Sequence, residues 1–162
     1  MIILTDSIQI DNPPEIVFDW FMNLDKNFTK WHQNHTKFTK LTGGMNVGDK
    51  ISFEEKISGK WFKFNLNITK IEKDNNGWII EAQTPPFAKL LFEARKIDDG
   101  CVFTHTETFG IIKSKNPFVQ KIIISCLRFI LNPFYRFDLI QKDIIEDNIN
   151  LKRILENEYK QT

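Results

Sequence analysis

ISFEEKISGKWFKFNLNITKIEKDNNGWIIEA, residues 51–82, decides the fold. Apolar residues recur at every second position, the period of half-buried strands, and the runs are broken by Ser58-Gly59 and Asn75-Asn76-Gly77. Such short polar turns join antiparallel neighbours. The same punctuation continues on both sides, at Gly43-Gly44, Pro85-Pro86 and Asp98-Asp99-Gly100, so residues 36–109 accommodate six strands. Parallel strands would need crossovers of about a dozen residues, which these spacings lack. An antiparallel meander is the reading.

Upstream, Ile2, Leu4, Ile8 and Ile10 alternate with polar residues, predicting another strand in which Asp6 is the exception. Asp11-Asn12 followed by Pro13-Pro14 marks a helix start, with Ile16, Val17, Trp20 and Phe21 as its apolar stripe, and a second short helix is expected over about 25–33. Residues 117 to about 160 hold no glycine and read as helix, broken or kinked near Asn132-Pro133. A sheet with one apolar face needs a cover, and this last segment is the only element long enough. The fold class is α+β: a curved seven-stranded antiparallel sheet around a long C-terminal helix, with two short helices after the first strand, in a single domain over residues 1–162.

Composition narrows the function. The chain is 41% hydrophobic and 27% charged, with Lys+Arg 22 against Asp+Glu 21 and a net charge of +1, which disfavours a dedicated nucleic-acid binder. Fifteen Phe and 4 Trp against 2 Tyr favour a thick core or an apolar cavity. Cys101 and Cys126 form no metal-ligand or disulfide pattern, and the opening MIILTDSIQI lacks the basic region and apolar stretch of a secretory leader, so a cytoplasmic, reducing location is expected. The apolar run 121–131 is too short to span a bilayer and carries Lys121 and Arg128, so it reads as buried helix without stable membrane insertion; the competing reading lays Phe118, Ile122 and Phe129 on a membrane surface.

The element order and the opening stretch from Ile8 to Asp19, IQIDNPPEIVFD, resemble the START-like or SRPBCC superfamily, the helix-grip fold of polyketide cyclases and pollen-allergen-like proteins. Trp31-His32 with His35, Val47-Gly48-Asp49 leading into Phe53-Glu54-Glu55, and Glu146 to Lys152 are similar to a bacterial polyketide-cyclase-like branch. The resemblance implies a deep apolar cavity between sheet and long helix, used for lipids, polyketides and aromatic molecules. Fold alone does not choose among them.

Candidate site residues are polar side chains on apolar faces, because burying such a group is costly without a partner. Glu55 shares its face with Ile51, Phe53 and Ile57, while Glu54 points to solvent; His105 and Glu107 share a face with Cys101, Phe103 and Phe109. In the long helix Phe137, Ile140, Ile144, Leu151 and Ile154 form a stripe that passes through Asp147, with Asp143 one turn before. Two carboxylates at that spacing on a cavity wall ask for a cation, a shared proton or water. His35, Glu55, Asp143 and Asp147 make an N/O set suited to zinc or another divalent ion. The resemblance extends to helix-grip hydrolases that hold zinc with sheet-side His and Glu and a His-x3-Glu helix pair; Asp143-x3-Asp147 departs from that pair toward harder, oxygen-rich ligation. The plainer readings stand beside this one: Asp143 and Asp147 as a solvated helix edge, His32 and His35 as exposed loop residues, and Trp31, Trp61 and Trp78 as core or cavity lining.

The function expected is enclosure of a small hydrophobic ligand by Trp31, Phe53, Phe103, Phe137, Ile140 and Ile144, with His35, Glu55, His105 and Asp147 at its polar end and no cofactor. The enzymatic alternative is a cyclase, aromatase or metal-assisted hydrolase acting on an aromatic or polyketide-like ketone, with Glu55 or His105 as general acid or base. A partner-binding module like the co-chaperones of the superfamily is a third class.

Overall fold

The computed structural model describes residues 1–57, 59–84, 88–110 and 136–159, with side chains to residue 157. Strand β1 (Ile2–Ile10) leads into helices α1 (Pro14–Met22) and α2 (Leu24–Trp31), then β2 (His35–Lys40), β3 (Lys50–Ile57), β4 (Lys60–Asp74), β5 (Gly77–Thr84), β6 (Ala88–Ile97) and β7 (Gly100–Phe109), and finally α3 (Phe137–Tyr159). All seven strands join one antiparallel sheet in the order β1-β7-β6-β5-β4-β3-β2. The six-strand meander and the long closing helix thus match the expectation. The readings on 111–135 fall outside the described residues: the kink at Asn132-Pro133, the apolar run with Phe118, Ile122 and Phe129, and Cys126. Among the described residues no helix is long and apolar enough to cross a membrane.

The sheet bends where its register slips, between His35 and Lys37 in β2 and between Ile68 and Lys70 in β4. Gly77 opens β5 at φ 143°, and a Cβ there would collide with the Ala94 carbonyl of β6, so the turn at 75–77 requires glycine. α1 starts after Pro13, whose ring offers no side-chain acceptor to cap it, and the preceding Asp11 backbone N–H donates to Glu156 Oε1 (3.0 Å) on α3. α2 ends at Trp31, two residues earlier than the spacing suggested.

α3 crosses the concave face and is tied to β1 by three polar contacts. Gln141 Nε2 donates to the Thr5 carbonyl (3.1 Å), Asn148 Nδ2 to Asp6 Oδ2 (2.7 Å) and Lys152 Nζ to the Gln9 carbonyl (2.8 Å). Asp6, the exception in the β1 pattern, is therefore the acceptor for a fully buried asparagine. The helix stripe needs one correction. Leu155 is fully buried while Ile154 is only half-buried, because the period of 3.6 residues drifts away from a strict seven-residue repeat. Trp61 is also corrected: it lies on the convex face of β4 and is 64% exposed.

The core gathers beneath α1 and α2. Phe21 is surrounded by Trp20, Trp31, Trp78, Phe92 and Phe103 with ring centroids 4.8–5.4 Å away. Of the three buried indoles, two find backbone acceptors, Trp78 at Pro14 O (2.6 Å) and Trp31 at Asp147 O (2.8 Å), so the second pins α2 to α3, while Trp20 Nε1 has no partner among the described residues.

Candidate functional site

Between α3 and the sheet lies a cavity of about 380 Å³. Its walls are Phe53 and Ile57 of β3, Phe64 and Leu66 of β4, Leu90 of β6, and Ile140 and Ile144 of α3. Toward the core the lining becomes polar: His35, Glu55, Glu107 and Asp147 border both this cavity and a smaller hollow of about 50 Å³ that reaches Phe28, Trp31, Phe92 and His105. The polar layer thus separates an open half of the interior from a packed one.

Each member is positioned by the element that carries it. His35 opens β2 opposite Glu55 in the register with β3, and its ring stacks on Phe28 of α2 at 4.2 Å with an interplanar angle of 2°. Its Nε2 stands 3.4 Å from Glu55 Oε2 and 3.6 Å from Asp147 Oδ2. In the neutral ring, the Nε2–H tautomer points a donor at both carboxylates. Nδ1 is buried and has no hydrogen-bond partner among the described residues. The reading of His32 and His35 as exposed loop histidines is overturned, for both are buried.

Asp147 is 6% exposed, which removes the solvated-edge reading for this residue. Its Oδ1 is buried without a partner among the described residues. Burial foremost, then the charges of Glu55, Glu107, Asp143 and Glu146, push its carboxyl well above the ordinary value. Asp143, half-buried one turn earlier on the cavity wall, is shifted the same way, again mainly by burial. On β7, His105 Nε2 stands 3.5 Å from Glu107 Oε1, beyond a good hydrogen bond, and both ring nitrogens lack partners among the described residues. His105 instead packs on Phe92 and Trp31, at 4.7 and 6.0 Å.

Four residues read as ligand contacts sit elsewhere. Phe103 is fully buried among Phe21, Trp78 and Phe92, in solid core. Phe137 packs edge-on against Phe109 at 5.3 Å, beside the cavity's described lining. Trp31 and His105 border the small hollow, not the large cavity. Strand and helix periods say which face is inward, and they are blind to where along that face the packing stops.

The sequence also understated two contributors. Glu107 lines the cavity as fully as Glu55 does. His32 is 4% exposed, with Nε2 3.2 Å from Glu146 Oε2 and Nδ1 accepting from the Asn34 backbone N–H at 3.3 Å. Its signal was faint: it follows the buried Trp31 at a helix end, where no period assigns a face. Ligand atoms of His32, His35 and Asp147 lie within 4.8 Å of one another, whereas Glu55 and Asp143 fall outside that triple. An excess of buried carboxylate with an unpartnered Oδ1 suits a cation chemically, and the metal set centred on His35 and Asp147 fits in donor type. The nitrogens of His32 are already engaged by Glu146 and Asn34.

No protein-family profile matches the chain, and no curated protein matches it by sequence. Solved structures do. A Thermus thermophilus protein, TTHA0849, superposes with a TM-score of 0.68 at 11% identity, over 98% of this chain and 99% of that one. A polyketide-cyclase-like protein of Corynebacterium glutamicum, Cgl2372, gives 0.59 at 16% identity over 98% and 94%. The Streptomyces aromatase/cyclase Zhui gives 0.58 at 11% identity over 96% and 93%. At these identities the likeness speaks for the fold alone, and with the strand order, the paired short helices and the closing α3 it gives this chain the helix-grip fold.

Proposed function

We propose that the protein binds a small molecule with a largely apolar body in the cavity between α3 and the sheet. The body lies against Phe53, Phe64, Leu66, Leu90, Ile140 and Ile144, and the polar end meets the layer of His35, Glu55, Glu107 and Asp147. What carries this reading is one observation: apolar walls end in buried polar atoms, Asp147 Oδ1 and His35 Nδ1, that find no partner among the described residues. Such atoms cost about 1–3 kcal/mol each when left unpaired, and a ligand that pairs them recovers part of that. The aromatase/cyclase and polyketide-cyclase-like likenesses support a lipid, polyketide or aromatic compound as the class. Neither the charge balance nor the cavity favours nucleic acid.

Thermal unfolding against a panel of such compounds tests this, since a ligand that binds only the folded state raises Tm with concentration. Saturable stabilisation that is lost when Ile144→Trp fills the cavity is the expected result. A panel that leaves Tm unmoved, in protein whose native mass also carries no adduct, would overturn it.

A second reading is catalytic, and the observation favouring it is the raised Asp147 carboxyl. A protonated acid facing an apolar cavity is suited to protonate a ketone oxygen, while Glu55, held through His35, accepts a proton from carbon or water. A divalent metal held by His35 and Asp147 would polarise the same ketone. In this reading Glu55→Gln keeps the fold and abolishes turnover of aromatic ketones, whereas unchanged turnover removes Glu55 from the chemistry.

A further inference from the structure

The polar end of the cavity carries a sign. Among the described residues, Glu55, Glu107, Asp143 and Asp147 line the cavity, and so do Lys56 and Lys63. Lys63 is 60% exposed and its ammonium donates to Glu54 (3.0 Å) on the outer face, and Lys56 is exposed. His32 is engaged by Glu146, which leaves His35 and His105 as the imidazoles nearest four carboxyl groups.

This is more than an acidic cluster, for two reasons. The groups line a largely apolar cavity, and Asp147, 6% exposed, lines it while its buried Oδ1 has no partner among the described residues. We propose that the cavity selects a ligand whose polar end is an organic ammonium on an apolar body, and discriminates against the matching carboxylic acid. The inference deepens the ligand-binding reading and rests on it.

The physical argument is one of charge and donors. A carboxylate ligand would place another negative charge within a few ångströms of Glu55 and Glu107, where low dielectric makes repulsion strong, while of the two lysines that line the cavity Lys63 is engaged by Glu54 and Lys56 is exposed. An alcohol supplies one donor. An ammonium supplies three, matching acceptors on Glu55, Glu107 and Asp147, and brings the positive charge this layer lacks.

Titration calorimetry of the full chain with phenylpropylamine, phenylpropanol and phenylpropionate at neutral pH holds the apolar body constant and varies only the polar end. The amine should bind at least about tenfold more tightly than the alcohol, with the acid weakest. Glu55→Gln and Asp147→Asn should each weaken the amine about tenfold while leaving the alcohol within about twofold, an effect that simple loss of structure would not give. Equal binding of acid and amine overturns the proposal. An amine preference that survives both variants overturns it too. The wild-type comparison decides the matter even if Asp147→Asn fails to fold. If the alcohol binds and the amine does not, only the ammonium preference falls; if butylbenzene and all three ligands fail, the ligand-binding reading falls with it.

Discussion

The two ends of the same interior are built from the same strands and differ completely. In β7, Cys101 and Phe103 are fully buried, His105 sits at the boundary, and Glu107 and Phe109 face the hollow end. β6 repeats the sequence from Ala94 and Phe92 to Leu90, and α3 repeats it from Leu155 and Leu151 through Asp147 to Ile144 and Ile140. Beneath α1 and α2 the inward face meets aromatic rings and closes; beneath the first turns of α3 it meets space. The lesson is that α1 and α2, not the sheet, decide which half is solid. Where they stop, the strands' inward residues become walls.

Truncation should split the ends most sharply. Phe21→Ala removes a fully buried ring from among Trp20, Trp31, Trp78, Phe92 and Phe103 and should cost about 3–5 kcal/mol by denaturant unfolding. Phe64→Ala, taking a half-buried ring from the cavity wall, should cost only about 1–2 kcal/mol, because the space it leaves joins one already present. Equal losses would mean that the cavity end is as tightly packed as the core.

That split also explains what could be read in advance. Strand alternation, turn residues and the helix stripe carry the fold, since each is a local consequence of backbone period. Glu55, His105 and Asp147 were legible for the same reason, as polar residues at inward positions. Phe103 was not separable from Phe53, because both occupy inward positions of amphipathic strands and only their distance from α1 differs. His32 was invisible because helix ends have no period. The Asp6–Asn148 pair needed both partners at once: each looks like an error until the fold sets them 2.7 Å apart.

The boundary layer should respond to pH in a way neither end does. A carboxyl whose folded-state pKa is raised holds its proton more tightly when folded. Stability therefore falls as pH climbs from the ordinary value of 3.8 through the raised one, and the penalty is complete above it. Asp147→Asn cannot ionise and should escape that penalty. Its Tm should exceed the wild type's by a few degrees at neutral pH, and the two should converge below the ordinary carboxyl value. Asp143→Asn should behave likewise but more weakly, being only half-buried. A gap that stays constant across pH would mean Asp147 is ionised in the folded protein and paired with a charged His35.

The smallest signal belongs to the solid end, and it is an absence of reaction. Cys101 is fully buried on β7 between Ile10 of β1 and Lys96 of β6, and burial, aided by the negative charge of Glu15, pushes its thiol up to about 11. At about pH 8 that leaves roughly one thiol in a thousand ionised, against roughly one in ten for a free thiol, before any loss of access is counted. Alkylation by iodoacetamide, followed on the peptide that bears Cys101, should therefore proceed only at the rate of global unfolding and should not change when a cavity ligand saturates the hollow end. If ligand slows it, the two ends open together, and the cavity is coupled to the core through the layer of His35, His105 and Asp147. Independence would mean that the core end is a rigid platform against which the hollow end alone adapts to its ligand.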